Sequence, residues 1–237
     1  MKSLARYFYK IRSFLPNIKR NKLYNFIKSL LVYDENEKNI LRALEFVKLN
    51  DLEGDYAEFG VYNGESFIIA CYFSKFFKLK NMKFYAFDSF EGLPSPEKED
   101  LGFYWKEGDC NCSLEKFKSN LKKAKVDLNG VVSIKGWYNE TLKKGKKYGI
   151  KKLAFIHVDC DYYSSTKLVF EYIKPFLQEG TVILFDDWYC YNASAEEGEQ
   201  KAFGEFLKKN KHISFIDFPA EGLKKMFICQ KIGKKYA

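Results

Sequence analysis

Short apolar segments alternate with amphipathic ones along most of this chain. The apolar segments have the length and composition of buried strands and cover residues 56–59, 83–87, 131–134, 153–158 and 181–185. Between them, apolar residues recur at helical spacing in segments that begin near residues 65, 113, 164 and 194. Two more strand candidates close the chain, at 212–218 and 225–230. This alternation predicts an α/β fold, with a doubly wound, mostly parallel seven-stranded Rossmann-like sheet and a C-terminal antiparallel hairpin.

The first 50 residues follow a different pattern. We expect helices over 2–15, 20–31 and 35–49, and therefore an N-terminal helical extension (1–50) before the α/β domain (51–237). Residues 1–33 contain eight Lys or Arg and no Asp or Glu, whereas the remainder is nearly neutral. The basic segment suits an acidic membrane surface, a phosphate-bearing ligand, or an amphipathic helix packed on the core or on the second copy of a homodimer or higher homo-oligomer.

Composition and cysteine usage indicate where such a chain works. Its 237 residues are 46% hydrophobic and 30% charged, which is enough for a sizeable core. The sequence has no transmembrane run and no apolar region typical of a signal peptide, and its six cysteines form no CxxC pair. We expect a cytoplasmic protein with reduced thiols. The nearly neutral main domain argues against a nucleic-acid partner.

Four aspartates follow two of the predicted strands. Asp159 and Asp161 come after the fourth strand, and Asp186 and Asp187 come after the fifth. Ligands of open parallel sheets bind at the carboxyl ends of the strands, so adjacent strands would bring all four carboxylates to one crevice. Unpaired, these groups would repel one another, and burial would raise their pKa values. A hard cation such as Mg²⁺, which prefers oxygen ligands, resolves that conflict.

The first strand leads into a turn with two glycines between two acidic residues. The segment reads Glu58-Phe59-Gly60-Val61-Tyr62-Asn63-Gly64-Glu65-Ser66, which is not the GxGxxG pattern of a dinucleotide site. Glycines permit a tight turn and let a ligand approach the backbone. An acidic turn suits the sulfonium and ammonium groups of S-adenosylmethionine, although a purely structural turn is the competing interpretation. The candidate cofactor-binding residues here are Glu58, Gly60, Tyr62, Gly64 and Ser66.

Two further segments extend the candidate cofactor site. Asp88 and Ser89 end the second strand, and Asp88 lies 24 positions past Gly64, at about the separation where acidic residues bond ribose hydroxyls. The alternative role for Asp88 is a helix cap. Gly136 and Trp137 follow the third strand in an aromatic loop that suits adenine. The long polar and aromatic segment 92–112 is a candidate lid.

Five segments in order resemble the macrocin and novobiocin O-methyltransferase family. They are Glu58-x-Gly60-Val61-x-x-Gly64, Phe87-Asp88-Ser89-Phe90-Glu91-Gly92-Leu93-Pro94, Gly136-Trp137-x-x-x-Thr141-Leu142, Asp159-x-Asp161-x-Tyr163-x-Ser165-Thr166 and Phe185-Asp186-Asp187-Trp188. The match extends from about residue 55 to 207. The resemblance implies a class I methyltransferase fold and a metal-dependent enzyme that methylates sugar hydroxyls with S-adenosylmethionine.

The resemblance also implies roles for the aspartates. Asp159, Asp186 and Asp187 match the metal ligands, and Asp161 matches the general base; we also place Asp159 among the cofactor-binding candidates. The chemistry agrees, because a cation chelated by the acceptor lowers the pKa of its hydroxyl and an adjacent carboxylate then takes the proton.

Other polar residues near the aspartates have simpler interpretations. His157 lies at an apolar strand end, where we expect it to pack or to bond the backbone. Tyr163, Ser165 and Thr166 are expected to orient the loop and to cap the helix that follows.

The acceptor is predicted from the charge and the overall composition. The basic N-terminus favours a nucleotide-activated sugar of bacterial surface polysaccharide biosynthesis, because clustered Lys and Arg suit a diphosphate. One alternative is a glycosylated natural product. Alternatives of another class are an RNA-binding methyltransferase that uses the basic segment as an arm, and a non-catalytic binding protein.

Overall fold

The computed structural model describes residues 35–101 and 104–233, with the backbone alone at 144–146. The predicted helices 2–15 and 20–31 lie outside the described residues. The strands are β1 (Asp55–Phe59), β2 (Phe84–Asp88), β3 (Val131–Lys135), β4 (Leu153–Val158), β5 (Val182–Phe185), β6 (Ile213–Phe218) and β7 (Lys225–Ile232). The α-helices are α1 (Glu35–Leu49), α2 (Glu65–Phe76), α3 (Leu114–Lys123), the short α4 (Tyr138–Thr141), α5 (Tyr163–Ile173) and α6 (Gly198–Lys209).

All seven strands belong to one sheet, in the order β3-β2-β1-β4-β5-β7-β6. Strands β1 to β5 pair in parallel, and β7 lies antiparallel between β5 and β6. The predicted doubly wound sheet and its C-terminal antiparallel hairpin are confirmed. The chain order reverses between β1 and β4, and ligand crevices of open sheets form at such a switch point.

Helices cover both faces of the sheet, which explains why the central strands are apolar along their whole length. On one face, Tyr56 and Phe155 pack with side chains of α1, α2 and α3. On the other face, Phe59 and Phe185 pack with side chains of α5 and α6. Because α1 buries its Leu44 in the first of these clusters, it belongs to the same compact unit as the sheet. The domain boundary at residue 50 stays a prediction.

Helix ends follow local signals more closely than the periodic pattern predicts. Helix α5 ends at Ile173, because Pro175, which has no backbone N–H, lies in the 3₁₀ turn that follows. Helix α6 begins at Gly198 rather than 194, after a turn in which Asn192 has a positive φ. Ser113 caps α3, since its hydroxyl accepts a hydrogen bond from the Lys116 N–H.

The cysteines are unpaired thiols, as expected. Cys112, Cys160 and Cys229 are buried, where a thiol packs as a small apolar group. Within residues 35–101 and 104–233, no helix combines the length and the apolar character that crossing a membrane requires.

Candidate active site

A cavity of about 510 Å³ opens at the carboxyl ends of the central strands. Its walls come from the glycine turn after β1, the end of β2, the loop after β3 and all four aspartates that follow β4 and β5. The parallel sheet has therefore brought both sets of predicted site residues to one crevice, as its topology requires.

The glycine turn permits a close approach between β1 and β4. Gly60 has a φ of +87°, and a Cβ added to it would lie 1.6 Å from the carbonyl oxygen of Asp159. Its backbone N–H donates to the Phe87 carbonyl at 2.9 Å. Position 60 therefore accepts glycine alone, because a side chain would collide with backbone that cannot move aside.

Asp88 ties the glycine turn to the end of β2. Its carboxylate accepts hydrogen bonds from the backbone N–H groups of Val61 (2.8 Å), Tyr62 (3.1 Å) and Phe90 (2.6 Å). Burial raises the pKa of Asp88, and these hydrogen bonds oppose the rise. Asp88 thus organises two loops rather than capping a helix, and it also lines the cavity.

Most of the candidate cofactor residues reach the cavity. Those in its lining are Gly60, Tyr62, Asp88, Ser89, Gly136, Trp137 and Asp159. Glu58 is fully buried behind the turn, where it accepts hydrogen bonds from the Tyr56 and Ser66 hydroxyls. Gly64 lies against the Phe117 ring, 2.9 Å from the position of an added Cβ. Glu58, Gly64 and Ser66 therefore support the turn from outside the lining.

Three of the four aspartates hold their protons unusually strongly. Burial, reinforced by the other aspartates, raises the pKa of Asp159 well above its usual range. Burial, followed by Asp187 and Asp186, raises the pKa of Asp161 to about 8. Burial and Asp186 raise the pKa of Asp187 to about 6. The carboxylates are thus close enough to repel one another, and a counter-charge would stabilise their ionised forms.

Asp186 differs from its neighbours because a lysine and a histidine face it. Burial opposes its ionisation, but a hydrogen bond with His157 and the Lys224 ammonium outweigh burial and lower its pKa to about 2. His157 Nε2 lies 3.3 Å from Asp186 Oδ1, and its Nδ1 lies 3.8 Å from Glu58. His157 is buried as predicted, but it bonds a carboxylate rather than the backbone.

Two further charged residues of the site escaped prediction. Lys224, just before β7, forms an ion pair with Asp186. Glu199, in the first turn of α6, is buried and accepts a hydrogen bond from the Asp187 N–H at 3.0 Å. Lys224 reaches the site because β7 pairs with β5, and Glu199 reaches it because of where α6 begins. No local pattern in the sequence marks either residue.

The predicted lid contacts the segment that carries Asp161. The Trp105 side chain interacts with the Asp161 carboxylate and so limits the rise of its pKa. The Trp105 carbonyl in turn accepts a hydrogen bond from the Tyr162 hydroxyl at 3.2 Å. Tyr104 and Trp105 both line the cavity, as a lid requires.

The start of α5 is held by the lid rather than by its own side chains. Asp100 is 1% exposed, and it accepts hydrogen bonds from the Ser164 N–H (3.0 Å) and the Ser164 hydroxyl (2.6 Å). The expectation that Tyr163, Ser165 and Thr166 cap this helix is wrong. The Thr166 hydroxyl instead donates to the Tyr162 carbonyl at 2.9 Å.

Two groups of side chains offer ligand atoms for a metal ion. The first is Glu58, His157 and Asp159, whose candidate atoms all lie within 4.8 Å of one another. Glu58 and His157 already bond other side chains, so we interpret them as a buried support for the site. The second is the predicted set, in which Asp187 Oδ2 is buried and has no hydrogen-bond partner within the described part of the chain.

The chain matches the family model described as Macrocin-O-methyltransferase (TylF) over residues 31–220. The chain belongs to this family. The resemblance inferred from the five sequence segments is therefore confirmed.

Two curated relatives and one solved structure illustrate the similarity. The chain is 26% identical over 166 residues to mycinamicin III 3''-O-methyltransferase of Micromonospora griseorubida, covering 67% of this chain and 64% of that protein. It is 27% identical over 156 residues to 8-demethyl-8-(2,3-dimethoxy-alpha-L-rhamnosyl)-tetracenomycin-C 4'-O-methyltransferase of Streptomyces olivaceus, covering 63% and 59%. The match thus spans less than two thirds of each relative. The O-methyltransferase NovP shares the fold, with a TM-score of 0.69, 22% identity, and coverage of 83% of this chain and 80% of that one.

Proposed function

We propose that this chain is an S-adenosylmethionine-dependent O-methyltransferase that acts on a sugar hydroxyl of a glycosylated natural product and uses a divalent cation, Mg²⁺. The observation that carries the proposal is a single cavity, in a macrocin-O-methyltransferase family chain, where a glycine turn meets four aspartates. The Streptomyces olivaceus relative is named for a rhamnosyl derivative of tetracenomycin, which is a glycoside.

The glycine-turn side of the cavity suits the cofactor. Gly60 exposes backbone to the cavity, so the methionine part of S-adenosylmethionine can approach closely. Asp88 would accept a ribose hydroxyl through Oδ1, which receives one backbone N–H, from Phe90, whereas Oδ2 already accepts two, from Val61 and Tyr62. Trp137, in the loop after β3, provides an aromatic surface for adenine.

The aspartates fit a divalent cation by their chemistry and their environment. They offer buried oxygen donors, one of them without a partner among the described residues, and they raise one another's pKa values. Asp159, Asp186 and Asp187 would hold the cation, and His157 fixes the orientation of Asp186. When bound there, a cation lowers the pKa of an acceptor hydroxyl.

Asp161 is the candidate general base. It lines the cavity together with Trp105, whose side chain limits the rise of its pKa. With a pKa of about 8 it holds a proton at neutral pH in the absence of positive charge. A positive charge among the neighbouring carboxylates would lower that pKa and leave Asp161 ready to accept the hydroxyl proton.

The charge of the cavity favours a neutral acceptor. Among the residues that the structure describes, its lining contains one cation, Lys224, which is paired with Asp186. The acidic residues of the lining are Glu35, Asp88, Glu97, Asp159, Asp161, Asp186 and Asp187. The acidic residues outside the aspartate cluster, among them Glu35 and Glu97, would repel the phosphates of a nucleotide sugar or of RNA.

Exposed apolar side chains in the lining also favour a glycoside with an apolar aglycone. The lining includes three large side chains that are exposed to solvent, Tyr62, Tyr104 and Leu223. Apolar and aromatic surfaces of this kind bind ring systems. Together with the names of the relatives, this supports the glycosylated natural product over the nucleotide-activated sugar.

A nucleotide-activated sugar stays as the second candidate acceptor. It is favoured by the eight basic residues of segment 1–33, which lies outside the described residues, and by the name of one fold neighbour, CalS11, a TDP-rhamnose 3'-O-methyltransferase.

One mass-spectrometric screen tests both the enzyme class and the acceptor. The full chain is incubated with Mg²⁺, labelled S-adenosylmethionine, and panels of neutral glycosides and nucleotide sugars. We expect a labelled methyl group on a glycoside. Labelling of nucleotide sugars alone would select the second candidate, and calorimetric binding of NAD⁺ in place of S-adenosylmethionine would refute the enzyme class.

A further inference from the structure

The pairing of β5 with β7 places one lysine inside the acidic site. These strands are antiparallel, with Phe185 opposite Lys225. The next pair in the same register is Asp186 and Lys224, and the Lys224 ammonium contacts Asp186 Oδ1. The Lys224 side chain is only 10% exposed, so its charge is shielded from bulk water.

The charges around Lys224 are strongly unbalanced. The carboxylates that interact with one another at this end of the sheet are Glu58, Asp159, Asp161, Asp186, Asp187 and Glu199. Facing them within the described residues are His157, which carries a charge only when protonated, and Lys224. Lys224 therefore provides the permanent positive charge of the site.

We propose that Lys224 is a tethered cation that offsets part of the negative charge of the aspartate cluster in the metal-free protein and weakens its binding of divalent cations. The inference rests on the proposed function, because it requires a cation among Asp159, Asp186 and Asp187. The ammonium lies against one of these carboxylates, so a divalent cation must either displace it or bind beside it against charge repulsion.

A positioning role for Lys224 would have the opposite effect on metal affinity. If Lys224 mainly oriented Asp186, its removal would loosen the carboxylate and weaken metal binding. However, His157 Nε2 holds the same oxygen, Asp186 Oδ1, at 3.3 Å. Two contacts thus orient Asp186, and the one from His157 remains when Lys224 is removed. Repulsion between an ammonium and a dication at close range also exceeds the contribution of one hydrogen bond.

Calorimetric titration with Mg²⁺ measures the effect directly in the full chain. Lys224→Met keeps the length and the apolar stem of the side chain and removes its charge. We expect it to tighten Mg²⁺ binding by about tenfold to a hundredfold, the scale of one charge-assisted contact. The matched control is Lys225→Met, since Lys225 is the next residue and forms an ion pair with the exposed Asp217 at 3.2 Å. The control should bind Mg²⁺ like the parent.

Thermal unfolding in EDTA provides a second readout that does not depend on metal. Loss of Lys224 leaves the carboxylates without their counter-charge, so Lys224→Met should lower the unfolding temperature in EDTA. Added Mg²⁺ should raise the unfolding temperature of this variant by more than it raises that of the parent. Lys224→Gln keeps a hydrogen-bond donor without the charge, and it must change the Mg²⁺ affinity and the unfolding temperature in the same directions as Lys224→Met. It replaces Lys224→Met if that variant does not fold.

The outcomes separate this inference from the proposed function. If the parent binds Mg²⁺ and both Lys224 variants bind it equally or more weakly, Lys224 is not a competing cation and the proposed function stands. If only the Lys224 variants bind Mg²⁺, the inference is supported. If parent and variants all bind S-adenosylmethionine but none binds Mg²⁺, the metal dependence of the proposed function fails, and the inference fails with it.

Discussion

The two halves of the cavity are built on different principles. In the glycine-turn half, polar groups satisfy one another: Asp88 accepts three backbone N–H groups, and Glu58 accepts two hydroxyls. In the aspartate half, carboxylates crowd together and raise one another's pKa values, and Asp187 keeps a buried oxygen without a partner among the described residues. The first half is therefore complete as folded, whereas the second depends on added positive charge.

One crevice therefore combines a half shaped by satisfied hydrogen bonds with a half dominated by negative charge. Gly60 joins the halves, because its missing side chain lets the end of β1 touch the backbone at Asp159. A change there should disturb both halves, while changes elsewhere should affect one half and spare the other.

The largest effect is expected from Gly60→Ala. The added Cβ would lie 1.6 Å from the Asp159 carbonyl at a φ that disfavours alanine, so we expect about 4 kcal/mol or more of destabilisation and loss of both S-adenosylmethionine and Mg²⁺ binding. Gly204→Ala in α6 is the matched control, since no atom lies within 4 Å of its added Cβ. Chemical denaturation measures the stability of the two variants, and calorimetry measures their ligand binding. Normal ligand binding by Gly60→Ala would refute the close-approach argument.

The next largest effect should separate the roles of two aspartates. Asp161→Asn removes the candidate base, so we expect turnover to fall by roughly 10²–10⁴-fold with cofactor and metal binding nearly unchanged. Asp186→Asn should instead weaken Mg²⁺ affinity and leave S-adenosylmethionine binding intact. Kinetics at several Mg²⁺ concentrations distinguish them: rescue of Asp161→Asn, but not of Asp186→Asn, by excess Mg²⁺ would reverse the two assignments.

A smaller effect should appear in the pH dependence of metal-free stability. Asp161 has a folded pKa of about 8, against about 4 in an unfolded chain. The folded state thus retains a proton that the unfolded state has released, and stability present below about pH 4 is lost as the pH rises through 8. We expect urea midpoints in EDTA to fall from pH 5 to pH 8, with a shallower slope in Asp161→Asn. Midpoints that increase over this range would contradict the crowding of the carboxylates.

The smallest effect is expected from the lid. Asp100→Asn weakens the hydrogen bonds to Ser164 at the start of α5, so we expect about 1 kcal/mol of destabilisation and a modestly higher KM for the acceptor. Asp109→Asn, which weakens a local hydrogen bond from the Lys106 N–H, is the control. Equal KM values for both variants would argue that the Asp100 contact does not position the lid.

Topology explains which parts of the site could be predicted from the sequence. The strands were recognisable as apolar segments, and a parallel sheet places everything that follows such strands at one edge. That reasoning was sufficient to bring Gly60, Asp88 and the four aspartates to one cavity.

The residues that escaped prediction depend on long-range packing. Lys224 faces Asp186 only because of the antiparallel register between β5 and β7, and Glu199 reaches Asp187 only because of where α6 begins. Asp100 holds Ser164 across a separation of 64 residues. None of these pairs follows from local periodicity, since each is created by the packing of distant elements.

Titration of S-adenosylmethionine into the full chain, in EDTA and again in Mg²⁺, tests the division between the two halves most directly. We predict calorimetric binding with the same affinity in both buffers, because the glycine-turn half is complete without a cation. Binding that requires Mg²⁺, or binding of NAD⁺ in place of S-adenosylmethionine, would contradict it.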